Sequence, residues 1–416
     1  MNAAPSHIPH WSMRTGMFLV FLVLAAVNLR IAMQEQAEYS GTGDSEAMIA
    51  HLRSPFLLTW HARRLHLLQG KSTEAEELFK RALSYNSYFI PAWLGLAELK
   101  NDRGSKTESR AILDYVDRLS TGINRWRWEK ALLTYQMGRY EILEKDLSWI
   151  IEKIPGASRQ AALKMAFSLW PEPTDLLKHI GRHNILHLFS YASQTKNVEM
   201  ALAYWPQIEQ MGVKDHRKEV LVFLNALIQS DKLTQAAAIW KMYFNDGSLL
   251  YNGSFQQEPT HTAFDWRVGK PKGSTWRIEP SGGKGNDRAM RLHFSGSENI
   301  RYHHLSQIVP IRPGRRYQLT GQIKTNNLTT DQRPFVEVIG FQCTMPPARS
   351  ENVAERQPWT AFALPFAVTE DCQAIQVRVR REPSTHLDNL LAGDLWLKGL
   401  EIEETGDTFS ILDAGK

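Results

Sequence analysis

The chain has 416 residues, 43% apolar and 22% charged. That suits about two to three packed domains and excludes a largely disordered chain, a collagen-like repeat and a polytopic membrane protein. The formal net charge is +5, but no Lys/Arg cluster or basic helix face stands out, so a mildly basic, solvated surface is expected and not a nucleic-acid partner. Thirteen Trp need a use in cores or at a binding surface, and the two Cys, Cys343 and Cys372, form no CxxC and are too few for a zinc ribbon.

The first element is the unbroken apolar run Gly16–Val27, of 12 residues, preceded by Arg14 and followed by Asn28 and Arg30. A bilayer span takes roughly 20 residues. With Asn28 and Arg30 at the interface and Arg30 snorkelling, 13–33 reaches that length. An uncleaved signal anchor and a cleaved signal peptide both fit, as does a buried core helix. The anchor reading makes 1–12 a cytoplasmic tail, 13–33 a transmembrane helix, 34–52 a linker and the rest extracytoplasmic, a compartment that permits a Cys343–Cys372 disulfide.

From 53 to 247 the sequence repeats. Gly70, Gly104 and Gly138 are each 34 apart, and Phe79, Leu113 and Leu147 keep the same interval, as do Ala82, Val116 and Ile150. Each Gly stands between two amphipathic segments, where a helix-turn-helix needs a residue tolerant of positive φ. Ala201 to Ala236 and Trp205 to Trp240 continue the pattern at 35, past a Pro171-Glu172-Pro173 kink, and five to six helix pairs are expected. The stretch GKSTEAEELFKRAL, with Ala75, Phe79 and Ala82 followed by Tyr88, Pro91, Ala92 and Trp93, resembles the tetratricopeptide repeat. The resemblance implies a right-handed superhelix whose groove docks a protein partner. Of Trp126 and Trp128 only one can face a core, which leaves the other as a candidate exposed contact.

After Asn245-Asp246-Gly247 helical periodicity stops, and short alternating runs separated by Gly, Pro, Asn and Ser take over. Strands are expected at Met290–Phe294, His304–Pro310, Arg316–Lys324, Phe335–Cys343, Thr360–Ala367, Ala374–Arg380 and Asp394–Glu403, an antiparallel sandwich or jelly roll over 248–404 with a tail at 405–416. The fold class expected for the whole chain is therefore α + β multidomain: transmembrane helix, all-α superhelix, then sandwich. The opening Asn252-Gly253-Ser254-Phe255, the Ser306–Leu319 stretch with Pro313-Gly314, the Trp359, Phe362 and Phe366 spacing and the closing Gly393–Ile402 occur in order. Together they resemble the galactose-binding-like jelly rolls of CenC-type carbohydrate-binding modules.

That resemblance implies a glycan ligand. Sugar binding needs aromatic faces for stacking and fixed hydrogen-bond donors, and Trp266, Arg267, Trp276, Arg301 and Tyr302 are the candidates. Trp266 also reads as core, sitting in an alternating run, whereas Trp276 stands between polar neighbours. Trp359 and Trp396 fall at framework positions and are expected in the core. The acidic pair that closes the family's last strand is replaced by Lys398-Gly399, so calcium has only Glu258 and Asp394 as weak candidates. His293, His303 and His304 lie close in sequence, but adjacent residues of a regular strand point to opposite faces.

No GxSxG, phosphate loop or HExxH is present, and no carboxylates pair for glycoside hydrolysis. The expectation is a protein without catalytic activity or cofactor. It would be a scaffold in the periplasm of a bacterium, single-pass in the inner membrane, docking a protein through its helices and touching a surface polysaccharide with its sandwich. The alternative is an assembly scaffold whose sandwich binds no glycan.

Overall fold

A computed structural model describes residues 52–282, 287–387 and 389–406. The chain divides into two compact units, Met1–Asp146 and Leu147–Lys416.

The first unit holds helices α1 (Pro55–Gln69), α2 (Ser72–Tyr85), α3 (Ile90–Asp102), α4 (Lys106–Leu119), α5 (Arg127–Gln136) and the start of α6 (Tyr140–Lys153). Helix α1 starts where Ser54 Oγ accepts the Leu57 N–H, with Pro55 in the first turn, where its missing N–H is no loss. Gly70, Gly104 and Gly138 follow α1, α3 and α5 at φ of 67°, 80° and 67°. The 34-residue interval is thus the return of one left-handed turn per helix pair. Ala75, Phe79 and Ala82 are fully buried with Leu58, Ala62, Ala92 and Leu99, and Leu113 and Val116 pack with Leu133 and Ile142. Trp126 and Trp128 are both half-buried.

The second unit holds the rest of α6, then α7 (Ala157–Leu169), α8 (Pro173–Ile180), α9 (Ile185–Gln194), α10 (Val198–Met211), α11 (Arg217–Gln229) and α12 (Leu233–Tyr243), and a β-sandwich. The helical part is all-α and consistent with a helical repeat. Among the described residues no helix is long and apolar enough to cross a membrane. The expected fold class is corrected accordingly, to twelve helices followed by a two-sheet sandwich among the described residues. The expected span at 13–33 and the tail at 1–12 lie outside the described residues. The unbroken apolar run there is itself only 12 residues, against the roughly 20 a span takes.

All seven expected strands are present, with ends shifted by at most three residues, and three others join them. The strands are β1 (Arg267–Val268), β2 (Ser274–Pro280), β3 (Arg288–Ser295), β4 (Tyr302–Pro310), β5 (Arg316–Asn326), β6 (Phe335–Gly340), β7 (Ala348–Arg349), β8 (Gln357–Ala367), β9 (Ala374–Arg381) and β10 (Ala392–Gly406). They form two antiparallel five-stranded sheets, ordered β1-β4-β9-β6-β7 and β2-β3-β10-β5-β8. The inner faces share one core that includes Leu292, Phe294, Tyr317, Leu319, Val336, Val377, Leu395 and Leu397. Cys343, after β6, and Cys372, before the neighbouring β9, are joined by a disulfide with Cα atoms 5.3 Å apart.

Helices α11 and α12 pack on the sandwich. Trp240 meets Tyr251 and Phe264 edge-on at 5.1 and 5.8 Å. Arg267 donates to Asn225 Oδ1 (3.0 Å) and Gln342 to Asp231 Oδ1 (3.0 Å). Ser306 and Ile308, which point outward from β4, are buried as a result.

Candidate functional site

The outward face of the second sheet carries the chemistry. In β10 the sequence Asp394-Leu395-Trp396-Leu397-Lys398 alternates, with both leucines in the core and Asp394, Trp396 and Lys398 outside. Register places Asp394 between His293 of β3 and Asn326 of β5, Trp396 between Arg291 and Lys324, and Lys398 beside Gln322. In β2, Thr275 pairs with His293 and Arg277 with Arg291. In β8, Leu364 and Phe366 face the core, which sends Trp359, Ala361 and Ala363 outward, and Ala361 pairs with Gln322 and Ala363 with Thr320.

Two Trp rings and five basic side chains therefore share one face. The Arg291 guanidinium lies 5.4 Å and the Lys324 ammonium 5.0 Å from the Trp396 ring centre, and these two cations come from the strands on either side of β10. Lys398 sits 4.7 Å from the Trp359 ring centre. Such cation–π contacts favour holding the cations against the rings. Trp396 Nε1 donates to Glu279 (2.6 Å) and Trp359 Nε1 to the Ser281 carbonyl (3.3 Å). Asp394 Oδ1 accepts from Arg291 Nε (2.8 Å) and bonds His293 Nδ1 (2.9 Å). Burial raises the Asp394 pKa, but these two partners outweigh it and hold the carboxyl below its ordinary value.

Beside Lys398 the face sinks into a depression of about 570 Å³. Its floor is Thr320, Gln322, Ala361 and Ala363, and its walls include Lys398, Arg288, Asp287, Ser254 and Gln256. The alanines make the floor low. The wall is held by the opening segment: Asn252 exchanges hydrogen bonds with Gln257, and the Leu400 N–H donates to the Gly253 carbonyl (3.0 Å). A Cβ on Gly253 would lie 1.9 Å from the Leu400 oxygen, so only glycine permits this approach. The Asn-Gly-Ser-Phe opening is thus what fastens the groove wall to β10. A second, smaller pocket of about 250 Å³ on the β2–β3 side is lined by Thr275, Trp276, Arg277, Arg291 and His293.

The residues proposed from sequence do not gather. Trp266 and Tyr302 are each 1% exposed and lie in the sandwich core, where no ligand ring can stack on them. Trp266 Nε1 is spent on the Asn252 carbonyl. Arg267 turns to α11, and Arg301, exposed, faces Glu382 at 3.8 Å. Trp276 alone borders the face, half-buried against the core and next to His261 and Lys270. Of the weak calcium candidates, Asp394 is occupied by Arg291 and His293, while Glu258 lies 4.0 Å from Arg288. His303 and His304 stack at 4.4 Å where the β4–β9 register shifts. No group of three or more His, Cys, Asp or Glu suited to a metal occurs among the described residues.

Trp359 and Trp396, expected in the core, are the aromatic residues of the open face. The signal was present in the alternation. Trp396 is in phase with Asp394 and Lys398, and Trp359 is out of phase with Leu364 and Phe366.

No family model matches the sequence, and no curated protein is similar to it. Solved structures similar to the C-terminal part include a family 16 carbohydrate-binding module, 14% identical, covering 38% of this chain and 99% of that one with a TM-score of 0.27. Another is TmCBM61 in complex with β-1,4-galactotriose, 13% identical, covering 38% and 98%, TM-score 0.27. A Stig cyclase from Fischerella is also similar, 11% identical, covering 39% and 98%, TM-score 0.26.

Proposed function

We propose that the sandwich binds carbohydrate along the outward face of its second sheet, and that the protein is a non-catalytic adaptor in making or exporting a cell-surface polysaccharide. The observation that carries this reading is the depression of about 570 Å³ across β5, β8 and β10, with a flat Ala361/Ala363 floor and hydrogen-bonding Thr320, Gln322 and Lys398 around it. An apolar floor with a few convergent polar groups suits a sugar ring, whose C–H face and hydroxyls need both. The helical part, read as a tetratricopeptide-like array, would dock a protein partner, since such arrays present extended concave surfaces. The disulfide supports an oxidising, extracytoplasmic compartment.

The test is affinity electrophoresis of the full chain through gels containing a panel of soluble polysaccharides. Retardation in at least one of them, relieved by Ala361→Trp, which fills the floor, is the expected result. No retardation in any gel, or retardation unchanged by Ala361→Trp, would sink the reading. The packing of α11 and α12 on the first sheet favours a second reading, in which the sandwich is a structural cap on the helices. That reading predicts no retardation anywhere and a loss of helical stability when Arg267 is replaced.

A further inference from the structure

The proposed carbohydrate site has a charge that a neutral glycan would not use. Outward from β2, β3, β10 and β5 stand Arg277, Arg291, Lys324 and Lys398, four permanent cations, against Glu279 and Asp394 on the same strands; Lys398 lines the depression, together with Arg288 and a third carboxylate, Asp287. Glu279 and Asp394 are engaged within the face. Asp394 holds Arg291 and His293, and Glu279 pairs with Arg277 and accepts from Trp396. Lys324 packs on the Trp396 ring, and Lys398 packs on Trp359 with Asp287 3.8 Å away.

We infer that the polysaccharide taken by this face is anionic, a polymer whose sugars carry carboxylates. The inference rests on the carbohydrate reading above and names the class of glycan. Two features point to it. Cations already lie over the Trp396 and Trp359 rings, so a neutral pyranose stacking there would have to displace them, whereas an acidic sugar is met by them. The cations also come from successive strands, which stand about 4.8 Å apart. A polymer lying across the sheet meets one after another, and a small anion would meet one; multivalent contact of that kind multiplies weak surface attractions. The cationic stretch ends at Glu401 and Glu403, which flank Thr320 and Gln318.

The experiment is affinity electrophoresis of the full chain in gels of sodium polygalacturonate and of its fully methyl-esterified form, with the same backbone and no charge. Retardation by the acid form alone is expected, weakening as salt rises and falling about tenfold in Lys324→Met plus Lys398→Met, which removes two half-buried charge contacts. A control pair with the same charge loss on exposed helix positions, Lys178→Met plus Lys241→Met, should leave it unchanged. If the control pair relieves retardation as much, only net charge is being read and the inference fails. If acid and ester retard equally and Ala361→Trp relieves both, the carbohydrate reading stands and its anionic form falls. If neither polymer nor any neutral one retards the protein, both fall. Stronger retention by single-stranded DNA than by polygalacturonate would also overturn it.

Discussion

The two outward faces of the sandwich are built by the same alternation and end in opposite conditions. On the first sheet Glu337 is fully buried, and Arg349, Arg378 and Arg380 close over it at 2.7, 2.6 and 3.3 Å. Helices cover the β1–β4 side of the same sheet. On the second sheet Arg277, Arg291, Lys324 and Lys398 share an open face with Glu279, Asp394 and Asp287, two Trp side chains point outward, and a groove stays open. The lesson is that outward polarity alone does not mark a binding face. A charge network that is satisfied internally serves stability, and one with unspent charge beside a cavity is available to a ligand.

Three further measurements would break or sharpen this contrast. The largest effect belongs to the disulfide. Its residues are 29 apart, and a loop of that size corresponds to ~3–4 kcal/mol of stabilisation. Reduction should lower the unfolding free energy of the sandwich, read from urea titration, by that amount while leaving polysaccharide retardation below the transition unchanged. A matching loss of retardation would tie the two faces together and undo the contrast. Next, Glu337→Gln leaves three guanidiniums around a buried amide and should cost ~3 kcal/mol, again without loss of binding. A cost under ~1 kcal/mol would show that the first face is not held by this network.

The same residue sets a pH dependence. Burial raises the Glu337 pKa, but the hydrogen bonds from Arg378 and Arg349 and the charges of Arg378 and Arg380 prevail, so it lies below the ordinary carboxylate value. A depressed pKa contributes stability that is present above the ordinary value and is lost as pH falls through the folded-state value. Thermal scans should therefore show the wild-type protein losing more stability than Glu337→Gln on acidification below about pH 4.5. Parallel curves for the two would refute the role given to Glu337.

The helix pairs were legible because a turn glycine and a buried small or aromatic residue recur at a fixed interval, and local sequence suffices to specify both. Seven strands were legible from alternation. The short β1 and β7 have too few residues to show a period. β2 was not among the expected strands because its inward Trp276 and Ile278 are only two residues, set among the polar Thr275, Arg277 and Glu279. The site was misplaced for a related reason. Trp266, already read as core as well as candidate, and Tyr302 both lie inside, because which face of a strand is inward depends on the sheet it joins. Trp359 and Trp396 were assigned to the core by position in a motif, although their phase against Leu364, Leu395 and Leu397 placed them outside.

What the sequence determined by itself is the order of the helical segments and of the seven expected strands, the turn glycines and the phase of those alternating strands, because these depend on neighbours within a few residues. Tertiary structure alone decided that Arg277, Arg291, Trp396 and Lys324 form one row, that Gly253 approaches Leu400, and that helices cover one sheet and leave the other open. Those facts depend on pairing between segments about a hundred or more residues apart, as in Asp394 against His293 and Leu400 against Gly253. No local pattern encodes them, since the pairing that sets register is chosen by the packing of the whole core.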